Sequence, residues 1–162
     1  MSGKSEVKES SGKISKKEPK HEVVILLAED DDGHVELITS TLHDAGVLNE
    51  VIRFRDGEET LEFFYGNGKK PAVKEGLSYL LLLDIRMPRT DGVQVLERLK
   101  GDPRYQRMPI IMLTTTDEPR EIERCHALGC NSYVTKPIAF TDFVEKLRRL
   151  GLFIMVIEIP KL

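Results

Sequence analysis

Cysteine is scarce in this chain of 162 residues: Cys125 and Cys130 are the only two, five positions apart. They form neither a CxxC pair nor a Cys/His cluster of zinc-site spacing. The expectation is two reduced thiols in a cytosolic protein, not a disulfide. Long apolar runs are also missing. No stretch reaches the roughly 20 residues needed to span a bilayer, and the N-terminus lacks the apolar core of a secretory signal. A cytoplasmic location without membrane partners is expected. Nor is there an excess of positive charge: 24 Lys and Arg against 27 Asp and Glu give a net −3. The first 22 residues carry six lysines and four glutamates, a local +2, which leaves −5 on residues 23–162. An acidic body argues against generic nucleic-acid binding. The length fits one domain with a sizeable core.

What the chain does have is acid at the ends of apolar runs. Val23-Val24-Ile25-Leu26-Leu27-Ala28 is followed at once by Glu29-Asp30-Asp31-Asp32. A second run, residues 79–83, stops on Asp84. Burying a carboxylate without a partner is costly. Two such strands meeting at their C-terminal ends make an acidic pocket that needs a cation.

The first 22 residues, rich in Lys, Glu, Ser and Gly, show no apolar periodicity and are expected to be a disordered tail. From Val23 strands and helices alternate. Strands are expected at 23–28, 50–55, 79–83, 110–113 and 132–135. Helices are expected at about 33–45, 57–65, 92–100, 118–128 and 139–150. Asp31 or Asp32 can cap the first helix and Asp56 the second. Residues 66–78 form a long basic connection, the kind of loop that is often functional or mobile. Five βα units with short loops imply an α/β fold, a doubly wound five-stranded parallel sheet of order 2-1-3-4-5, flavodoxin-like. Ligands in such sheets bind beyond the strand C-termini, at the switch between strands one and three. Those strands are the ones ending in Glu29-Asp30 and Asp84. Residues 151–162, which include Leu152-Phe153-Ile154-Met155-Val156-Ile157, are too apolar to be left bare in water. Either the last helix continues and packs on the core, or the segment covers a partner chain. The five helices and strands already buried favour the homodimer.

The remaining strand ends add Thr114-Thr115-Thr116 and Thr135-Lys136-Pro137. Carboxylates without thiolates or imidazoles suit a hard cation, and Mg²⁺ takes one or two of them plus waters and phosphate oxygens. Lysine supplies a compact charge for a phosphoryl oxygen, and threonine a neutral donor. Together these groups make a phosphoryl-transfer site with an aspartate nucleophile.

Four segments then fall in order, one per strand end: Leu27-Ala28-Glu29-Asp30-Asp31; Leu83-Asp84-Ile85-Arg86-Met87-Pro88 with Asp91-Gly92 after it; Pro109-Ile110-Ile111-Met112-Leu113-Thr114; and Tyr133-Val134-Thr135-Lys136-Pro137. In these the chain resembles the receiver domain of two-component response regulators, over about residues 23–150. The resemblance implies Asp84 as phosphoacceptor, Asp30 as direct Mg²⁺ ligand and Glu29 as a ligand through water. It implies the main-chain carbonyl of Arg86 as a further ligand, Thr114 as switch hydroxyl, Lys136 as the site lysine and Tyr133 as switch aromatic. It also implies a cis Lys136-Pro137 bond, and phosphorylation by a sensor histidine kinase rather than turnover as an enzyme. The loop before strand three and the Ile157-Glu158-Ile159-Pro160 ending look like the small stand-alone receivers that serve bacterial phytochrome kinases, which tend to dimerise. No output domain is expected after residue 162, so signalling is expected to run through a downstream target or a phosphotransfer protein.

Plainer readings are assigned to the other polar residues. Asp31 and Asp32 are expected to serve the helix N-terminus. Thr115 and Thr116 are loop hydroxyls, Thr115 placed to limit solvent access. Arg86 is a solvated side chain able to tune dephosphorylation. His21, His34, His43 and His126 read as surface or satisfied residues, with contact to the pocket the alternative for His34, which follows the acid cluster. Arg98, Lys100, Arg104 and Arg107 read as a solvated face. Three rivals fit less well. A haloacid-dehalogenase-type phosphatase needs an acid two residues after the nucleophile, where Arg86 stands. A flavodoxin-like cofactor carrier needs a phosphate loop where Glu29-Asp30-Asp31-Asp32 would repel phosphate. An unphosphorylated interaction module would not need the full set of site residues.

Overall fold

The structure, a computed structural model, describes residues 23–115 and 118–149. The expectations for the tail at 1–22, for Thr116, and for the extension at 151–162 lie outside the described residues. Strand β1 (Val23–Ala28) leads into helix α1 (Asp32–Asp44), followed by β2 (Val51–Phe54), α2 (Gly57–Tyr65), β3 (Ser78–Asp84) and α3 (Gly92–Lys100). The last elements are β4 (Ile110–Thr114), α4 (Pro119–Ala127), β5 (Ser132–Thr135) and α5 (Phe140–Arg149). The strands pair in parallel in the order β2-β1-β3-β4-β5, as expected. No helix among the described residues is long and apolar enough to cross a membrane.

All six residues of β1 are buried, because both faces of the sheet are covered. Alternation divides them. Val24, Leu26 and Ala28 join Phe63 and Phe64 of α2, Val95, Leu96 and Leu99 of α3 and Cys125 of α4. Val23, Ile25 and Leu27 face the other way, onto Ile38 and Leu42 of α1 and Phe143 of α5. The same split runs through β3, with Leu81 and Leu83 on the first side and Leu80 and Leu82 on the second. Cys125 and Cys130 are buried and free, as expected, and burial pushes the Cys130 thiol up to about 11.

Element ends depart from the expectation by one or two residues. Asp84 belongs to β3 because it pairs in register with Leu113. Helix α4 starts at Pro119, since proline at the first helical position loses no hydrogen bond.

Two segments are more ordered than expected. Residues 66–78 are tied to the body where the Ala72 and Val73 N–H groups donate to Phe63 O at 3.0 Å, and where the Lys74 N–H donates to the Tyr79 hydroxyl. Of the basic residues near the end of α3, Arg98, Arg104 and Arg107 are exposed, as expected, and Lys100 is not. Arg98 lies over the Tyr65 ring at 4.3 Å. Arg104 forks onto Asp102. The Lys100 ammonium donates to Gln106 O, Met108 O and the Asn131 Oδ1, at 3.0, 2.7 and 3.0 Å. Burial lowers the Lys100 pKa, yet all three of its protons have acceptors. Asn131 Oδ1 also accepts from the Ile110 N–H, so this knot fixes the start of β4. Replacing Lys100 with methionine keeps the stem and strands those acceptors. It is expected to cost about 2 kcal/mol in urea unfolding, against almost nothing for Lys69→Met in the exposed loop.

Candidate functional site

Parallel register brings four strand ends to one edge of the sheet. Ala28 lies beside Leu83, Asp84 beside Leu113, and Thr114 beside Thr135. The residues just past these pairs are drawn together. Main-chain bonds carry the ladder one step further: Glu29 N–H to Phe54 O, Ile85 N–H to Leu113 O, and Lys136 N–H to Thr114 O at 2.7 Å. Glu29 is fully buried, Asp84 and Thr114 nearly so, and Asp30 is exposed.

At the centre is the ammonium of Lys136, whose side chain is 6% exposed. It donates to Glu29 Oε1 and lies 3.3 Å from Asp84 Oδ1. The peptide bond from Lys136 to Pro137 is cis, as the resemblance implied. Burial drives the Glu29 carboxyl up, but the Lys136 contact and the Asp31 N–H, 3.1 Å away, outweigh it, so Glu29 titrates below the ordinary range. Burial and the neighbouring Glu29 raise Asp30. Asp84 has the larger displacement. Burial, then the Glu29 charge, lift it to about 6 against the pull of Lys136.

Three carboxylates therefore face one ammonium. Glu29, Asp30 and Asp84 each offer an oxygen, and these oxygens lie within 4.8 Å of one another. An all-oxygen set with a charge deficit fits a hard divalent cation. The two strands that end in acid at the topological switch are those the sequence marked.

Several residues hold this set in place. Asp31 caps α1 by accepting from the His34 N–H at 2.9 Å, as expected. Asp32 lies in the first turn of α1, as expected, and is also paired with Arg53 at 2.8 Å. Arg53 also donates to the main-chain oxygens of Glu29 and Asp30, at 3.0 and 3.1 Å, and so staples the acidic loop to β2. Sequence reasoning gave Arg53 no role. The available signal was an arginine near the end of the strand beside a run of four acids. Asp91 caps α3 with a capping box through Gln94. Gly92 packs so closely beneath Asp84 that a Cβ there would lie 2.0 Å from the Asp84 carbonyl oxygen.

Arg86 is not simply solvated. Its backbone N–H approaches Asp84 Oδ1 at 3.4 Å, and its guanidinium, two-thirds exposed, pairs with Glu121 of α4 at 3.2 Å. That pair crosses a cleft of about 740 Å³ lined by Asp30, Met87, Pro88 and Arg120. Thr115 is exposed beside Lys136. Tyr133 sits one strand further out. Its ring meets His126 edge-on at 5.8 Å and carries the Lys146 ammonium at 4.4 Å, which links α4, β5 and α5. His34 takes the second of its two readings and contacts the pocket. Its Nδ1 lies 3.2 Å from Lys136 Nζ and 3.4 Å from Glu29 Oε1, inside the site.

Comparison with known proteins agrees with this geometry. A receiver domain of a response regulator from Rhodospirillum rubrum is 42% identical, with a TM-score of 0.68, covering 85% of this chain and 96% of that one. The bacteriophytochrome response regulator RtBRR is 35% identical, with a TM-score of 0.73, covering 85% and 83%. Response regulator Rcp1 of Synechocystis is 30% identical over 135 residues, covering 80% of this chain and 87% of that one. A structure of Rcp1 in its Mn²⁺-bound form superposes with a TM-score of 0.63. The family model of the response regulator receiver domain matches residues 25–148, and the chain belongs to that family.

Proposed function

We propose that this protein accepts a phosphoryl group on Asp84 from a sensor histidine kinase and relays the signal through protein contacts. The observation that carries the reading is the Lys136 ammonium held between Glu29 and Asp84, where Asp84 is a buried carboxylate at the mouth of the sheet. One Asp84 carboxylate oxygen attacks phosphorus in line, a P–O bond forms, and the P–N bond of the phosphohistidine breaks. The departing imidazole keeps that electron pair and takes its proton from solvent. Lys136 moves a donor from Asp84 to a phosphoryl oxygen and neutralises part of the charge there. Glu29, Asp30, Asp84 and the Arg86 carbonyl would hold Mg²⁺, which supplies charge neutralisation at the phosphoryl oxygens. The Mn²⁺-bound form of Rcp1 supports a divalent ion in that role.

Once the acyl phosphate exists, the Thr114 hydroxyl donates to it and draws in the end of β4. Tyr133 then changes its packing between α4 and α5. This biases an existing two-state equilibrium of the α4-β5-α5 face. That face is the surface offered to a downstream target, a phosphotransfer protein or a second copy of the chain. Likeness to RtBRR supports a phytochrome-type kinase as the donor.

Intact-mass measurement after incubation with a small acyl phosphate tests the reading. The expected result is addition of one phosphoryl group in Mg²⁺ and none with a chelator. If the protein stays unmodified in Mg²⁺ both with the small donor and with a bacteriophytochrome kinase, it is a phosphorylation-independent interaction module instead.

A further inference from the structure

The first turn of α1 carries a side chain that belongs to the site. Asp31 is the N-cap, so His34 is the third residue of the helix, and side chains there lean back toward the N-terminus, over the end of β1. Its Nδ1 is 3.2 Å from the Lys136 ammonium. That ammonium has three protons and three neighbours: Glu29 Oε1, Asp84 Oδ1 and His34 Nδ1. An ammonium only donates. The same nitrogen lies 3.4 Å from Glu29 Oε1, but the ammonium is nearer at 3.2 Å, so Nδ1 is assigned the lone pair and Nε2 the ring proton. The Lys136 side chain is nearly buried, and Leu37, Ile38, Thr115, Pro137 and Ile138 line the adjoining depression of about 210 Å³.

We infer that His34 is a positioning residue: its Nδ1 accepts the third ammonium proton of Lys136 and holds the lysine head between Glu29 and Asp84. From there the lysine needs only a small shift to donate to a phosphoryl oxygen on Asp84. The kinetic consequence rests on the phosphoryl reading above, but the contact itself does not. The backbone N–H of His34, not its side chain, satisfies the Asp31 cap. Side-chain replacements therefore leave the helix start intact.

The test has two arms. In the unmodified protein at about pH 8, long-range ¹H–¹⁵N spectra should show His34 with Nδ1 bare and Nε2 protonated. The Lys136 ammonium signal, assigned by its loss in Lys136→Arg, should be visible. His34→Asn sets an amide oxygen near the place of Nδ1 and should keep that signal; His34→Leu fills the space without an acceptor and should lose it. A protonated Nδ1, no ammonium signal in the parent, or equal signals in the Asn and Leu variants would overturn the inference. In the second arm, phosphorylation by a small acyl phosphate should slow roughly three- to tenfold in His34→Leu and stay within about twofold of the parent in His34→Asn. Equal rates in the two variants would remove the kinetic role. Should the parent take phosphate neither from the small donor nor from a bacteriophytochrome kinase, the phosphoryl reading fails, while the spectra still decide the His34 contact.

Discussion

Asp84→Asn is expected to give a protein that takes up no phosphate and yet unfolds later in urea at neutral pH. Both results follow from one buried carboxylate. The amide has no anionic oxygen to attack phosphorus, and the neighbours do not replace it: Glu29 is fully buried against Lys136, and Asp30 is an exposed residue that follows the end of β1 rather than ending β3. Incorporation from a small acyl phosphate should fall below detection. The stability gain follows from the sign of the pKa shift. Asp84 is raised from 3.8 to about 6 by burial and by Glu29. A group whose folded pKa is raised contributes full stability below its unfolded pKa and loses it as pH rises through the folded value. Between about pH 4 and 6 the parent therefore surrenders stability that the amide variant keeps. At pH 7 without divalent ions the variant should be more stable by about 1 to 2 kcal/mol, discounted for the solvent-open mouth of the site. At pH 4 the two should unfold together. Mg²⁺ should stabilise the parent and not the variant, narrowing or reversing the gap. An amide variant no more stable than the parent at pH 7 would mean that Lys136 compensates the Asp84 charge fully.

The sequence carried the parts of this site that depend on chain direction alone. A buried strand ending in acid is visible in one line of residues, as at Ala28-Glu29 and Leu83-Asp84. Parallel topology then forces such ends to one edge. The order 2-1-3-4-5 and the gathering of Glu29, Asp30, Asp84, Thr114 and Lys136 needed no side-chain detail. What the sequence hid depends on helix phase and on contacts between distant segments. His34 meets Lys136 across 102 positions, and only the exact start of α1 aims it there rather than outward. A helix beginning one residue later would turn it by about 100°. Lys100 hid for the same reason, since its acceptors come from a turn and from Asn131, and nothing in the local charge pattern separates it from Arg107. Arg86 reads as solvated until α4 brings Glu121 beside it. The long connection at 66–78 lacks any periodicity, yet main-chain bonds to Phe63 settle it. Such bonds leave no trace in residue type.

Gly92→Ala is expected to be the most damaging single methyl group that can be added near the site. The residue opens α3 after its Asp91 cap, and its N–H donates to Ile85 O at 2.8 Å, which clamps the helix start onto the end of β3. A Cβ at this position would lie 2.0 Å from the Asp84 carbonyl oxygen and 2.9 Å from the Ile85 Cα, both main-chain atoms. No rotamer change can relieve a clash between a Cβ and backbone. Either α3 withdraws from the sheet, losing the packing of Val95, Leu96 and Leu99, or the β3 end shifts and carries Asp84 away from Lys136. The expected cost is about 3 to 5 kcal/mol in urea unfolding, at the upper end of single substitutions. Phosphoryl incorporation should also fall in whatever fraction stays folded, because about 1 Å of misplacement at a reacting group costs on the order of a hundredfold in rate. Gly76→Ala is the control. Gly76 has φ +84°, but its Cβ would meet nothing within 4 Å. It should lose only about 1 kcal/mol, from the left-handed backbone, with phosphorylation unchanged. If Gly92→Ala unfolds no earlier than Gly76→Ala, the β3–α3 contact is soft, and Asp84 is held by Lys136 and the sheet alone.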